Sequence, residues 1–144
     1  MPSVSHSAEY RISIEAMYEA FADYAAYPEF LEHFERIEVL DEFDSGMRVR
    51  VHGEMFGPVQ YVIDVEYDAP NYLGWVFVEG KGFHSMEGSC TFEPSGRGKV
   101  RVTYQVDVSP RVPVPGFLVK HFLKQQTPLL LDRFHERARQ LEKR

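Results

Sequence analysis

The chain has 144 residues, 44% apolar and 26% charged, the make-up of one globular domain spanning 1–144 rather than of a disordered or collagen-like chain. Its one cysteine, Cys90, excludes an internal disulfide and a thiolate-rich metal centre, and its formal charge of −6 argues against DNA or another phosphate-backbone partner. Apolar runs are too short to span a bilayer and the N-terminus has no basic-then-apolar leader, so the expected location is cytoplasmic.

Residues 4–12 alternate by twos and predict a first strand. Ser13 is a candidate N-cap, and Ile14, Met17, Tyr18, Phe21 and Tyr24 then recur at three and four, one face of a short helix. Proline disfavours helical geometry at the residue before it, so Tyr27-Pro28 is expected to end that helix and Pro28 to open a second short helical turn through Phe34. Six further strands are predicted at 36–43, 47–56, 59–67, 72–79, 83–93 and 99–108. The segments between them, such as Asp44-Ser45-Gly46, Gly57-Pro58 and Gly80-Lys81-Gly82, are turn-forming. Near-regular spacing and short turns predict an antiparallel meander, seven strands with the first.

The tail is physically distinct. Residues 1–110 carry 8 basic and 19 acidic side chains while 111–144 carry 8 basic and 3 acidic ones, −11 against +5. Ser109–Gly116 holds three prolines and reads as a stiff connector. Beyond it Leu123, Thr127, Leu130, Phe134, Ala138 and Leu141 recur at helical spacing, predicting one amphipathic helix of about 25 residues, roughly 40 Å long. Pro128 inside it predicts a kink.

These elements compose an α+β fold: a seven-stranded curved antiparallel sheet grips the long C-terminal helix, with two short helices after strand 1 closing one end. Alternation leaves the sheet one dry face, which only the C-terminal segment is long enough to cover. A straight helix does not reach the middle of a bent sheet, so a cavity is expected there. Its predicted lining is Met55, Tyr61, Ile63, Met86, Cys90, Phe92 and Tyr104 from the strands. Phe21, Tyr24, Tyr27, Phe30 and Phe34 join from the short helices, and Leu123, Leu130 and Phe134 from the long one. Trp75 and Phe77 share one face of their strand while Val76 and Val78 hold the other. Two apolar faces imply either a homodimer contact or an extra layer from the short helices.

Three segments carry a family resemblance. Asp23-Tyr24-Ala25-Ala26-Tyr27-Pro28-Glu29-Phe30 resembles the D-x-x-x-Y-P-x-F segment of the polyketide cyclase/dehydrase and coenzyme-Q-binding START-like (SRPBCC, helix-grip) proteins. Gly88–Pro94 followed by Val100–Tyr104 resembles their G-x-x-x-F-x-P and V-x-V-x-Y hairpin, and Phe134-His135-Glu136-Arg137-Ala138 their F-x-x-R-A. The resemblance implies a helix-grip fold holding a hydrophobic ligand: a lipid, an isoprenoid quinone or a polyketide. It also implies two alternatives, a polyketide cyclase or dehydratase and a ribosome-associated interaction module, because one fold hosts many functions.

A catalyst needs titratable groups facing its substrate. The inward phases offer no placeable carboxylate, only the tyrosines Tyr10, Tyr61, Tyr67 and Tyr104. Tyr104 is the candidate donor to a ligand carbonyl. His84, just after a hairpin turn, is a candidate acid/base if it points inward, and His33 a candidate at the mouth. Cys90 lacks a partner that would activate it and reads as core. No histidine pair has ligand spacing, so neither metal nor cofactor is expected. The expected protein is a non-enzymatic binder; its basic terminal helix, with Phe117, Leu118 and Phe122, reads either as a solvated outer face or as a surface for transient membrane contact.

Overall fold

Seven strands lie side by side in the order β1-β7-β6-β5-β4-β3-β2, every neighbouring pair antiparallel. Strands β2 (Phe34–Phe43), β3 (Gly46–Glu54), β4 (Pro58–Asp68), β5 (Tyr72–Lys81), β6 (Phe83–Gly96) and β7 (Lys99–Pro110) form the meander, and β1 (Ser3–Tyr10) closes against β7. The computed structural model describes residues 2–55, 57–111 and 113–143, so the predicted strand end at Phe56 and Val112 of the connector lie outside it. Register shifts between Val62 and Ile63 and between Phe83 and Ser85 mark bulges, which bend strands and raise their twist. Strand β5 pairs with β6 only over Tyr72–Val76. Past that point β5 stays with β4 and β6 with β7, so the sheet opens near the 80–83 turn.

Helix α1 (Ile14–Ala22) starts as its sequence predicts, with the Ser13 hydroxyl accepting from the Ala16 N–H at 3.2 Å. The second helical turn differs from expectation. It is a 3₁₀ helix over Tyr24–Glu29 that contains Pro28 instead of beginning at it, and the chain breaks at Asp23. Local side-chain contacts override the proline signal: the Tyr27 hydroxyl donates to the Phe21 carbonyl at 2.6 Å and its ring stacks on Tyr24 at 4.4 Å. A short 3₁₀ helix has few backbone donors to satisfy, so the one missing at Pro28 costs it little.

Helix α2 (Gly116–Glu142) runs through Pro128 without interruption for 27 residues. Its buried stripe is Val119, Leu123, Thr127, Leu131, Phe134 and Ala138, so Leu131 takes the core place and Leu130 turns toward the cavity. The C-terminal half is clamped. Phe134 stacks on Phe21 at 3.8 Å, Arg137 reaches Glu29 at 3.1 Å, and the Glu142 carboxylate accepts from the Ser13 N–H at 3.1 Å. No described helix is long and apolar enough to cross a membrane.

The core lies between the concave face, α1 and α2, with Val49, Val51, Leu73, Cys90, Phe92, Val100 and Val102 excluded from water. Trp75 and Phe77 point into it. Val76 and Val78 are 51% and 39% exposed on the outer face. The extra layer over that face is therefore absent among the described residues, because both short helices sit on the concave side, where the larger apolar area is.

Candidate functional site

Because α2 is held by its C-terminal half, its N-terminal half stands off the sheet and leaves a cavity of about 200 Å³. The floor comes from β4–β7: Tyr61, Ile63, Trp75, Met86, Tyr104, Val106 and Val108. Phe21, Tyr24, Tyr27, Leu31 and Phe34 form one wall, joined by Met55 just beyond β3. Phe122, Leu123, Thr127, Leu129, Leu130 and Phe134 roof it. The polar rim is Glu32, His33, Gln126 and Arg133.

Three residues predicted to line this space do not. Cys90 is wholly buried beneath the floor, where it pairs in register with Leu73 and Tyr104, and its short side chain does not pass the larger rings. Phe92 is capped edge-on by Tyr18 at 5.5 Å and Phe21 at 5.3 Å. Phe30 turns to the outside of the aromatic cluster, edge-on to Phe134 at 5.3 Å and beneath the Arg137 guanidinium at 5.3 Å. The other expected positions, Tyr104 among them, line the cavity.

His84 is exposed on the outer face. The bulge between Phe83 and Ser85 breaks the alternation that would have put it in phase with buried Met86. Tyr10 and Tyr67 are also diverted. Tyr10 packs on His135 at 4.8 Å and donates to Asp132 at 3.4 Å, while the Tyr67 hydroxyl donates to the Ala22 carbonyl at 3.4 Å. His33 stands at the mouth, its ring 6.2 Å from Phe122. Trp75, Gln126, Leu129 and Arg133 were not predicted as lining. Trp75 shares the inward phase of β5 with Leu73, a signal available in the sequence, but the register that carries it beside Tyr104 (ring centroids 5.6 Å) is not.

The cavity's chemistry is that of neutral donors in an oily wall. Burial pushes the Tyr61 and Tyr104 phenols well above the ordinary tyrosine range, and Tyr24 and Tyr27 likewise. All four stay protonated through the physiological range. Tyr27 spends its proton on Phe21, and Thr127 donates to the Leu123 carbonyl at 2.7 Å. Among the described residues, the Tyr61 and Tyr104 hydroxyls meet no hydrogen-bond partner although both rings line the cavity. Burial raises the Cys90 thiol too, which keeps it un-ionised and a poor nucleophile. Charged groups reach the space only at the rim, and no described group of three His, Cys, Asp or Glu could hold a metal.

A wider depression of about 490 Å³ crosses the outer face between Tyr72, Val76, Glu66, Glu87 and Asp107. It lies on the sheet's wet face, with no second layer over it among the described residues. The smaller cavity is the stronger candidate because two layers of apolar side chains enclose it.

The family model described as polyketide cyclase / dehydrase and lipid transport matches residues 11–135. No curated protein matches the chain. Among solved structures, a START superfamily protein from Mycobacterium smegmatis is 24% identical, with a TM-score of 0.85 over 96% of this chain and 98% of that one. The Zhui aromatase/cyclase from Streptomyces sp. R1128 is 14% identical, with a TM-score of 0.83 over 95% and 93%. Human STARD10 is 9% identical, with a TM-score of 0.84 over 98% of this chain and 64% of that one. At these identities the three likenesses show the helix-grip fold. Two of the three motifs that carry the sequence resemblance act as structural clamps: Tyr27 on Phe21, Phe134 on Phe21, and Arg137 on Glu29 and Phe30.

Proposed function

The chain belongs to the polyketide cyclase / dehydrase and lipid transport family, and from that premise we propose that it binds and carries a small hydrophobic molecule between its sheet and α2. Family and fold together support hydrophobic-ligand binding or a polyketide cyclase-like activity. The observation that favours binding is the enclosed wall, apolar save for neutral hydroxyls, with carboxylate, imidazole and guanidinium confined to the rim. A proton-shuttling catalyst needs a group that changes charge near neutral pH against its substrate.

Size narrows the guest. An engineered cavity of about 150 Å³ takes benzene, so 200 Å³ suits a compact ring system. A long isoprenoid or acyl tail would leave through the mouth past Phe34, Met55 and Leu129. Phe117, Leu118 and Leu129 are exposed on α2, and Lys120 and Lys124 on the same helix are exposed with them. That combination supports loading from an anionic membrane surface.

Native mass spectrometry of gently purified protein tests the reading: a copurifying small apolar molecule is expected. An empty protein whose melting temperature ignores compact aromatics, quinones and fatty acids would overturn it. The cyclase alternative rests on Tyr104 polarising a carbonyl. It requires Tyr104→Phe to lower turnover more than binding.

A further inference from the structure

We propose that the outer face of the sheet docks the basic N-terminal half of α2 from a second copy of this chain, head to tail. The contact does not depend on what the cavity holds.

Strand register shapes the receiving face. Phe43, Gly46, Glu66, Gly74, Ser89 and Gln105 fall in one row across the strands. Two glycines and a serine in that row leave the surface low, which makes the depression of about 490 Å³ a trough. It crosses β4 to β7, roughly 14 Å at ordinary strand spacing. In the next row Val76 stands between Asp64 and Glu87, and Glu87 sits directly opposite Asp107. Like charges directly opposite one another destabilise a sheet. Arg48 neutralises Asp64 through contacts at 2.7 and 3.0 Å. Glu66, Glu87 and Asp107 have no ion-pair partner among the described residues. The trough therefore sets three uncompensated carboxylates around exposed Phe43 and Val76.

The complementary surface is on the same molecule. Residues 111–131 contain three basic side chains and no acidic one. Phe117, Lys120 and Lys124 recur at three and four, so they share one helix face about 10 Å long. All three are exposed, and neither lysine has an ion-pair partner among the described residues. An apolar side chain beside two ammonium groups fits apolar side chains beside carboxylates.

Charge also selects the approach. The chain carries −6, so a second copy is repelled unless its basic helix leads. Two outer faces meeting each other would set carboxylates against carboxylates. Within one chain α2 covers the concave face and the trough lies on the convex one, so the two surfaces face away from each other. Pairing then leaves one free surface of each kind, a heterologous contact that grows by addition. Docking covers Phe117, Lys120 and Lys124, so a chained copy has its membrane-facing side shielded.

Sedimentation velocity of the full-length protein tests the contact. The weight-average mass should rise with concentration at low salt and fall back as salt is added. Two variants remove charge from one surface each: Glu87→Gln with Asp107→Asn in the trough, and Lys120→Gln with Lys124→Gln on the helix. Circular dichroism checks that both fold. Each alone should self-associate about tenfold more weakly than wild type. An equimolar mixture brings the intact helix of one to the intact trough of the other, so it should regain wild-type affinity and stop near a one-to-one complex. A wild type that stays monomeric at low salt would overturn the proposal. So would variants that associate like wild type, or a mixture that associates no more tightly than its parts.

Discussion

At the scale of single residues, a glycine beneath Trp75 and the tyrosines of the interior each leave a measurable mark. Gly88 pairs with Trp75 across β5 and β6. A Cβ on it would run into the indole and come within 2.7 Å of the Gln105 carbonyl oxygen, backbone that does not yield. Gly88→Ala should therefore cost about 1–3 kcal/mol by overpacking. It should also shift the emission of Trp75, the only tryptophan, measured by urea unfolding followed through fluorescence. The tyrosines give a pH signature. Burial raises Tyr61 and Tyr104, and half-buried Tyr67 is pushed up to about 12, again chiefly by burial. The folded chain then holds protons that the unfolded chain releases above about pH 10. Stability is fully present below that pH and falls as pH rises beyond it. Absorbance at 295 nm at pH 11 should stay below that of the denatured chain until unfolding begins, and equal ionisation in both would contradict the buried donors.

At the scale of elements, α2 is two objects in one helix. Its C-terminal half locks into an aromatic cluster in which Phe134 meets Phe21, Tyr27 and Phe30, with Arg137 and Glu142 tying it to the 3₁₀ helix and to the start of α1. Its N-terminal half roofs the cavity and leaves Phe117, Leu118 and Leu129 exposed. Phe134→Ala should cost about 3–5 kcal/mol, whereas Leu130→Ala, half-buried at the cavity, should cost well under half of that, both read from urea midpoints. Local opening follows packing, so amides of 118–127 should exchange with deuterium faster than those of 131–140. Equal protection along the helix would remove the idea that its N-terminal half is the movable roof.

At the scale of the whole molecule, charge is segregated between an acidic body and a basic tail. Exposed Phe117 and Leu118 beside Lys120 and Lys124 should bring the protein to vesicles containing anionic lipid in a flotation assay, and added salt should weaken that binding. Phe117→Glu with Leu118→Glu should reduce the bound fraction at least tenfold, since each apolar side chain contributes about 1.5–3 kcal/mol when buried. Wild type that ignores such vesicles would leave loading to proceed from solution. The open outer face, with Val76 and Val78, is independent of this surface because it lies across the sheet from α2.

Strand number, meander order, the capped first helix and the long terminal helix were legible in the sequence, because alternation by two, recurrence at three and four, and turn residues are local signals that the packed chain keeps. Most of the cavity wall was legible for the same reason, since inward phase follows from alternation. What the sequence left open depended on contacts far apart in the chain. The register of β6 against β7 put the bulge at Phe83 and Ser85 that sent His84 outward. Neighbouring rings buried Phe92 out of reach of the space, and register brought Trp75 against Tyr104. Pattern along a chain specifies which face a side chain takes; only packing between distant segments specifies how deep it lies and which neighbours meet its polar end.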